Sequence, residues 1–277
     1  MNAEKNNLFG FNAFSPDEIA EKVETIGVNK TKLPLLSMIM LGILAGAFIS
    51  LGAMFFVTVT SDTNITFGIS RLLGGLTFSL GLVMVTVAGA ELFTGNNLIV
   101  MAWADQKISS GEVLKNWLVI CISNFIGALI IAFLLFKAGH QEMNHGAVGK
   151  LYLEIAEAKS TISFQKAFFS GILCNILVCL AVWMAQAGRS VWDKVIVIIF
   201  PVSAFIAAGF EHSIANMFFV PMGIFLQSEK ATAYNLISWI GLFKNLLPVI
   251  LGNLVGGSGF VAFIYYVIYR RKSRHKF

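Results

Sequence analysis

The sequence predicts an all-α membrane protein with six transmembrane helices in an inverted 3+3 repeat, the second and fifth helices being broken. Three observations predict it. The first is composition. Of 277 residues, 57% are hydrophobic and 13% charged, with mean hydropathy +0.77. An ordinary soluble domain is about 45–50% apolar and about 25% charged. One soluble globule cannot hide this excess, which excludes secreted, disordered, coiled-coil and nucleic-acid-binding classes. The second is a set of six long apolar segments, each near or above the roughly 20 residues that a spanning helix needs. The third is that these segments repeat, three against three, in the same order.

The elements follow from the N-terminus. Ser15-Pro16-Asp17-Glu18-Ile19-Ala20-Glu21-Lys22-Val23 is amphipathic. Ser15 as N-cap, Pro16 at the first helical position and Glu18 at the third make a capping box. A short helix on the membrane surface, or against a neighbouring subunit, is expected within the tail 1–34. That tail has no apolar core before a small-residue cleavage site, so no signal peptide is expected. The spans are expected at 35–60, 71–104 (interrupted), 113–137, 164–187, 194–226 (interrupted) and 243–269. They form one six-helix transmembrane domain, 35–270, with repeat halves 35–137 and 163–270, followed by a basic tail, 271–277. Cys121, Cys174 and Cys179 all lie in apolar runs without CxxC spacing and read as buried small hydrophobes.

Charge placement gives orientation. Six spans put both termini on one side. That side carries most of the 20 Lys and Arg residues, with Arg270-Arg271-Lys272-Ser273-Arg274 dominating. Both termini are therefore expected to be cytoplasmic. The net charge of +5 is an orientation signal, and no nucleic-acid partner is expected.

The repeat is visible motif by motif. Gly42-Ile43-Leu44-Ala45-Gly46 echoes Gly171-Ile172-Leu173-Cys174-Asn175. Glu91-Leu92-Phe93-Thr94-Gly95-Asn96 echoes Glu211-His212-Ser213-Ile214-Ala215-Asn216. Ser123-Asn124-Phe125-Ile126-Gly127 echoes Gly252-Asn253-Leu254-Val255-Gly256. An odd number of spans per half inverts one half relative to the other, and such repeats place a substrate path at their interface. The second and fifth segments are too long for one straight span, and each carries a polar, glycine-bearing interruption. Irregular backbone at membrane depth survives only where protein buries it or water reaches it. Half-helix N-termini at such breaks suit an anion. The pairs Gly42/Gly46 and Gly252/Gly256 fit close helix packing. Gly257-Ser258-Gly259 before Ala262 mimics a dinucleotide fingerprint but lacks a preceding strand.

Only two acids, Glu91 and Glu211, and one of the four histidines, His212, fall well within the spans. Such residues are functional candidates. Glu91 and Glu211 occupy equivalent repeat positions, which favours a structural role at the breaks, together with Asn96 and Asn216; a direct part in substrate passage is the alternative. A carboxylate there can accept bonds from freed backbone N–H groups. His212 has no counterpart, because Leu92 stands in its place. It can hydrogen-bond an anion and exchange a proton near neutrality; the alternative is a satisfied core histidine. Thr94 can offer a hydroxyl. Asn124, Asn175 and Asn253 lie mid-span and serve either as interhelical glue or as pore lining. One intramembrane histidine makes no metal cluster, and neither metal nor cofactor is expected.

At these residues the sequence resembles the formate/nitrite transporter family. Gly89-Ala90-Glu91-Leu92-Phe93-Thr94-Gly95 is similar to the family's first signature, and Gly209-Phe210-Glu211-His212-Ser213-Ile214-Ala215-Asn216-Met217 to its second. Asn175-Ile176-Leu177-Val178-Cys179-Leu180-Ala181-Val182-Trp183-Met184 is also typical. The resemblance covers 12–269. Ala187-Gly188-Arg189-Ser190 and Phe218-Phe219-Val220-Pro221-Met222-Gly223 resemble the formate channels in particular.

The resemblance implies an aquaporin-like fold and a homopentamer in the bacterial inner membrane, with one pore per protomer and lipid around it. It implies two apolar constrictions about a central chamber, with Phe78, Leu82 and Phe205 contributing. Leu92, Phe93 and Thr94 would form a mobile loop on the cytoplasmic side. Thr94 and His212 would face the chamber, with Asn175 and Asn253 near the path. Lys159 would be a vestibule lysine that draws anions in.

The expected function is therefore a channel, not an enzyme, for small weak-acid anions, chiefly formate, with nitrite or hydrosulfide as alternatives. Bare anions are costly in an apolar ring, and proton transfer near His212 would avoid that cost. A water- or glycerol-type pore is the other class; its Asn-Pro-Ala motifs do not occur here.

Overall fold

The computed structural model describes residues 13–62, 64–229 and 236–271. Lys230 and the basic tail beyond Arg271 lie outside the described residues. The chain runs α1 (Pro16–Thr31), α2 (Leu35–Thr60), α3 (Phe67–Met84), α4 (Val100–Ala104), α5 (Ser110–Lys137), α6 (Ala147–Thr161), α7 (Phe164–Ala185), α8 (Val191–Ala208), α9 (Ser213–Glu229) and α10 (Trp239–Leu254). The last helix continues in wider π-helical turns to Arg270. Six stretches among the described residues are long and apolar enough to cross a membrane: Leu35–Thr60, Phe67–Gly89, Ser110–Lys137, Phe164–Ala185, Val191–Ala208 and Trp239–Arg270. The protein is a multi-pass membrane protein.

Helix starts are set by capping. α1 has the Ser15/Glu18 box that the sequence predicts, with Pro16 at its first position. Ser109 with Glu112 and Ser190 with Asp193 form the same box at α5 and α8. These polar caps explain why α5 and α8 begin about three residues before the apolar windows at 113 and 194. The second span also begins earlier than 71, at Phe67. Arg71 looks like a boundary in sequence, but its Nε donates to the Ala207 carbonyl at 3.0 Å, so the charge is accommodated inside the helix.

Packing repeats between the halves. α2 lies against α3 and α5, as α7 lies against α8 and α10. Glycine permits these approaches: Gly46 rests on the backbone of Asn124 and Gly127 on the Ile43 carbonyl, while Gly252 and Gly256 rest on the carbonyls of Phe168 and Ile172. These are the close helix contacts read from the glycine pairs. The cysteines are free, Cys174 and Cys179 being buried and Cys121 half-buried. Gly257-Ser258-Gly259 lies in the wide turns of the sixth span, where Ser258 donates to the Asn97 carbonyl at 3.3 Å.

The centre belongs to α9. Every residue from Glu211 to Gly223 is buried; the polar ones, Glu211, His212, Ser213 and Asn216, stand at the break and the first turn of α9, and the apolar run follows. α1 covers one end of the bundle. Ile19, Ala20 and Val23 pack with Leu98, Met101, Trp183 and Tyr266. Its buried Glu24 takes Arg270 Nε at 2.7 Å and pairs with Lys107.

Candidate functional site

Two helix breaks build the site. α3 runs into a π-helical turn, Val85–Gly89, and stops at Gly89, whose φ is +83°. After an irregular stretch, the 3₁₀ turn Gly95–Ile99 leads into α4. α8 stops at Gly209, φ +74°, and α9 starts at Ser213. Both stops need the left-handed conformation that glycine adopts without strain.

The backbone groups freed at each break find side chains. At the first, Phe93 N–H donates to Asn124 Oδ1 at 2.9 Å, and Asn124 Nδ2 donates to the carbonyls of Gly42 (2.8 Å) and Glu91 (2.9 Å). At the second, Ser213 N–H donates to Asn253 Oδ1 at 3.1 Å, and Asn253 Nδ2 donates to Gly171 (2.8 Å) and Glu211 (3.1 Å). Both amides therefore bond the breaks to the helices around them. Asn175 Nδ2 bonds Asn97 Oδ1 at 2.8 Å and the Asn253 carbonyl at 2.7 Å, tying the two breaks together.

The carboxylates sit in matching cages. Glu91 takes Lys30 Nζ at 2.8 Å and Asn96 Nδ2 at 2.7 Å, and Asn96 Nδ2 also reaches Asn116 Oδ1 at 3.0 Å. Glu211 takes Lys159 Nζ at 2.5 Å and Asn216 Nδ2 at 2.7 Å, and Asn216 Nδ2 reaches Asn245 Oδ1 at 2.7 Å. Asn116 and Asn245 close each cage by donating to the Lys30 and Lys159 carbonyls. Lys159 is thus one of a pair of break lysines and not a solitary charge. Lys30, Asn116 and Asn245 escaped the sequence reading. Their signal was spacing: Lys30 and Lys159 each precede the first span of their half by five residues, and Asn116 and Asn245 each precede the break asparagine by eight. α1 and α6 therefore hold equivalent places around the breaks.

Thr94 and His212 meet where the breaks face each other. Thr94 Oγ1 and His212 Nε2 are 3.0 Å apart, and both residues are buried. His212 Nδ1 accepts the Ala215 N–H at 3.2 Å. In the neutral ring the proton then sits on Nε2, which donates to Thr94 and leaves the hydroxyl hydrogen free to turn. The Phe205 ring stacks on the imidazole, with centroids 5.8 Å apart, and Phe78 meets Phe205 edge-on at 5.8 Å. Phe93 is buried beside Thr94.

A cavity of about 490 Å³ opens on the α1 side. Lys30, Glu91 and Asn96 give it a polar wall, and the buried Leu82 and Leu92 an apolar one. Among the described residues no group of three His, Cys, Asp or Glu is placed to hold a metal ion.

This geometry can be set beside known proteins. The pattern described as "Formate/nitrite transporter" matches residues 17–267. The chain is 41% identical over 278 residues to the formate channel FocA of Escherichia coli (strain K12), covering 96% of this chain and 98% of that one. A solved structure titled "Pentameric formate channel with formate bound" superposes with a TM-score of 0.79 at 40% identity, covering 85% of this chain and 97% of the other. One titled "FNT family ion channel" gives 0.81 at 28% identity, over 91% and 98%. Family pattern, sequence relatives and fold agree, and the chain belongs to the formate/nitrite transporter family.

Proposed function

We propose that this protein passes small monovalent weak-acid anions, formate foremost, through each protomer at the Thr94–His212 pair. The observation that carries the reading is that pair: two buried polar side chains, 3.0 Å apart, joining two helix breaks under an aromatic wall. The Thr94 hydroxyl, polarised by the imidazole behind it, is a hydrogen-bond donor for a carboxylate. Phe78, Phe205, Leu82 and Leu92 are the apolar rings on either side, and they make passage of a bare charge costly. A proton shared with the anion lowers that cost. Nδ1 is taken by the Ala215 N–H, so any exchange runs through Nε2 and the Thr94 hydroxyl.

The remaining roles follow from that path. Leu92, Phe93 and Thr94 form the loop at the head of the α1-side cavity, which opens to the cytoplasm together with both termini. Asn175 and Asn253 hold the breaks in register. Lys159, paired with Glu211, contributes a donor to the opposite vestibule and little net charge. The titled pentamer supports a homopentamer here, set in a bacterial inner membrane with lipid around its apolar flanks.

Proteoliposome flux tests the reading. His212→Phe is expected to lower formate flux more than tenfold. His212→Asn is expected to keep anion flux and lose its response to a pH gradient. Proton-coupled flux unchanged in both would sink the role given to His212. Parallel assays with nitrite, hydrosulfide and glycerol decide the substrate, and glycerol carried as fast as formate would overturn the anion reading.

A further inference from the structure

A vestibule concentrates anions only if its net potential is positive. Lys30 is paired with Glu91 and Lys159 with Glu211, so each break cage sums to zero. Another charge stands beside the second break. Arg71, in the second turn of α3, donates from Nε to the Ala207 carbonyl at 3.0 Å. Its guanidinium lies 5.7 Å from the Phe67 ring centroid. A Cβ placed on Gly209 would stand 2.7 Å from its terminal nitrogen, so the guanidinium lies beside the glycine at which α8 stops. Among the described residues no carboxylate lies within ion-pair distance of Arg71. Its partners are a carbonyl and a ring, neither of which cancels its charge.

The repeat places this charge at a mouth. Gly89 and Gly209 are mates: both have positive φ, and both stand two residues before the break glutamate. Gly89 lines the cavity on the α1 side. Gly209 holds the corresponding place at the opposite mouth and is exposed there. The residue that corresponds to Arg71 in the second half is Val191; on the α1 side Lys22 Nζ instead donates to the carbonyl of Gln186, a cavity-lining residue, at 3.3 Å and lies 4.6 Å from the Phe14 ring centroid.

We propose that Arg71 gives the mouth away from α1 its net positive charge and acts there as a positioning residue, gathering small monovalent carboxylate-class anions ahead of the second break. The inference rests on the anion-channel reading above. Arg71 is an asymmetric device, like His212, added to an otherwise repeated frame. The competing role is purely structural, a cap on the C-terminal carbonyls of α8.

Charge and cap separate by ionic strength. The Debye length falls from about 30 Å at 0.01 M to about 8 Å at 0.15 M. Formate flux into proteoliposomes of the full chain is measured at both. Arg71→Gln keeps a donor for the Ala207 carbonyl and is expected to lower flux about three- to tenfold at 0.01 M and under about twofold at 0.15 M. The change should lie in half-saturation and not in the maximal rate. Arg71→Lys keeps the charge and should stay within about twofold of the unaltered protein at both. An equal loss at both ionic strengths, no loss at either, or failure of Arg71→Lys to match overturns the inference. Unaltered protein that carries no formate at all overturns the channel reading instead, and this inference with it.

Discussion

Glu91 and Glu211 hold a carboxylate in the same surroundings twice: a lysine, an asparagine amide that bridges to a second asparagine, and a backbone break pinned beneath. Glu211 is nearly closed off from solvent and its lysine is only 17% exposed. Removing one member of such a pair leaves a charge buried without a partner, at a cost of about 3–5 kcal/mol. Glu211→Ala should therefore lower the unfolding temperature in detergent markedly. Glu211→Gln should lower it less, because the amide can still accept the Asn216 bond. A Glu211→Ala protein as stable as the unaltered one would mean that the cage does not hold the break. These carboxylates were legible in sequence, since acids in so apolar a chain have few reasons to persist. The lysines were not, because Lys30 lies in a polar tail where a solvated side chain is the ordinary outcome.

The element most exposed to change is α1. It is amphipathic and packs one apolar face, and its buried Glu24 is clamped between Lys107 and Arg270. Burial acts to lower the Lys107 pKa, but the Glu24 carboxylate beside it prevails and raises it. The contribution of Lys107 is thus complete below the ordinary lysine value of about 10.4 and fades as pH rises through the raised one. Glu24→Gln removes the clamp at any pH. It should speed amide hydrogen exchange across Pro16–Thr31 by at least tenfold, with α5 unchanged. In the unaltered protein, intrinsic-rate-corrected exchange of α1 should stay flat from pH 6 to 9. Equal protection in the variant would show that apolar packing alone seats this helix. The Ser15 box was legible because capping is local; the clamp was not, because Glu24 and Arg270 are far apart in sequence.

Across the whole molecule, the two halves depend on backbones that touch. Gly127 leaves no room for a side chain against Ile43, whereas a Cβ on Gly68 would meet nothing within 4 Å. Gly127→Leu should separate α2 from α5 and cost more than about 1–3 kcal/mol, seen as loss of monodisperse protein on size exclusion. Gly68→Ala should be neutral or slightly stabilising. Equal behaviour of the two would remove close packing as the basis of the fold.

The sequence by itself determined the number of spans, the broken second and fifth segments and the paired motifs, because hydropathy and helix interruption are local properties that a bilayer enforces strictly. It also singled out His212, as the residue that departs from the repeat. Tertiary structure alone decided which groups answer one another across the breaks: Thr94 with His212, Lys30 with Glu91, Arg71 with the end of α8. Those pairings depend on which faces of distant helices meet, and no periodicity in a single chain records that.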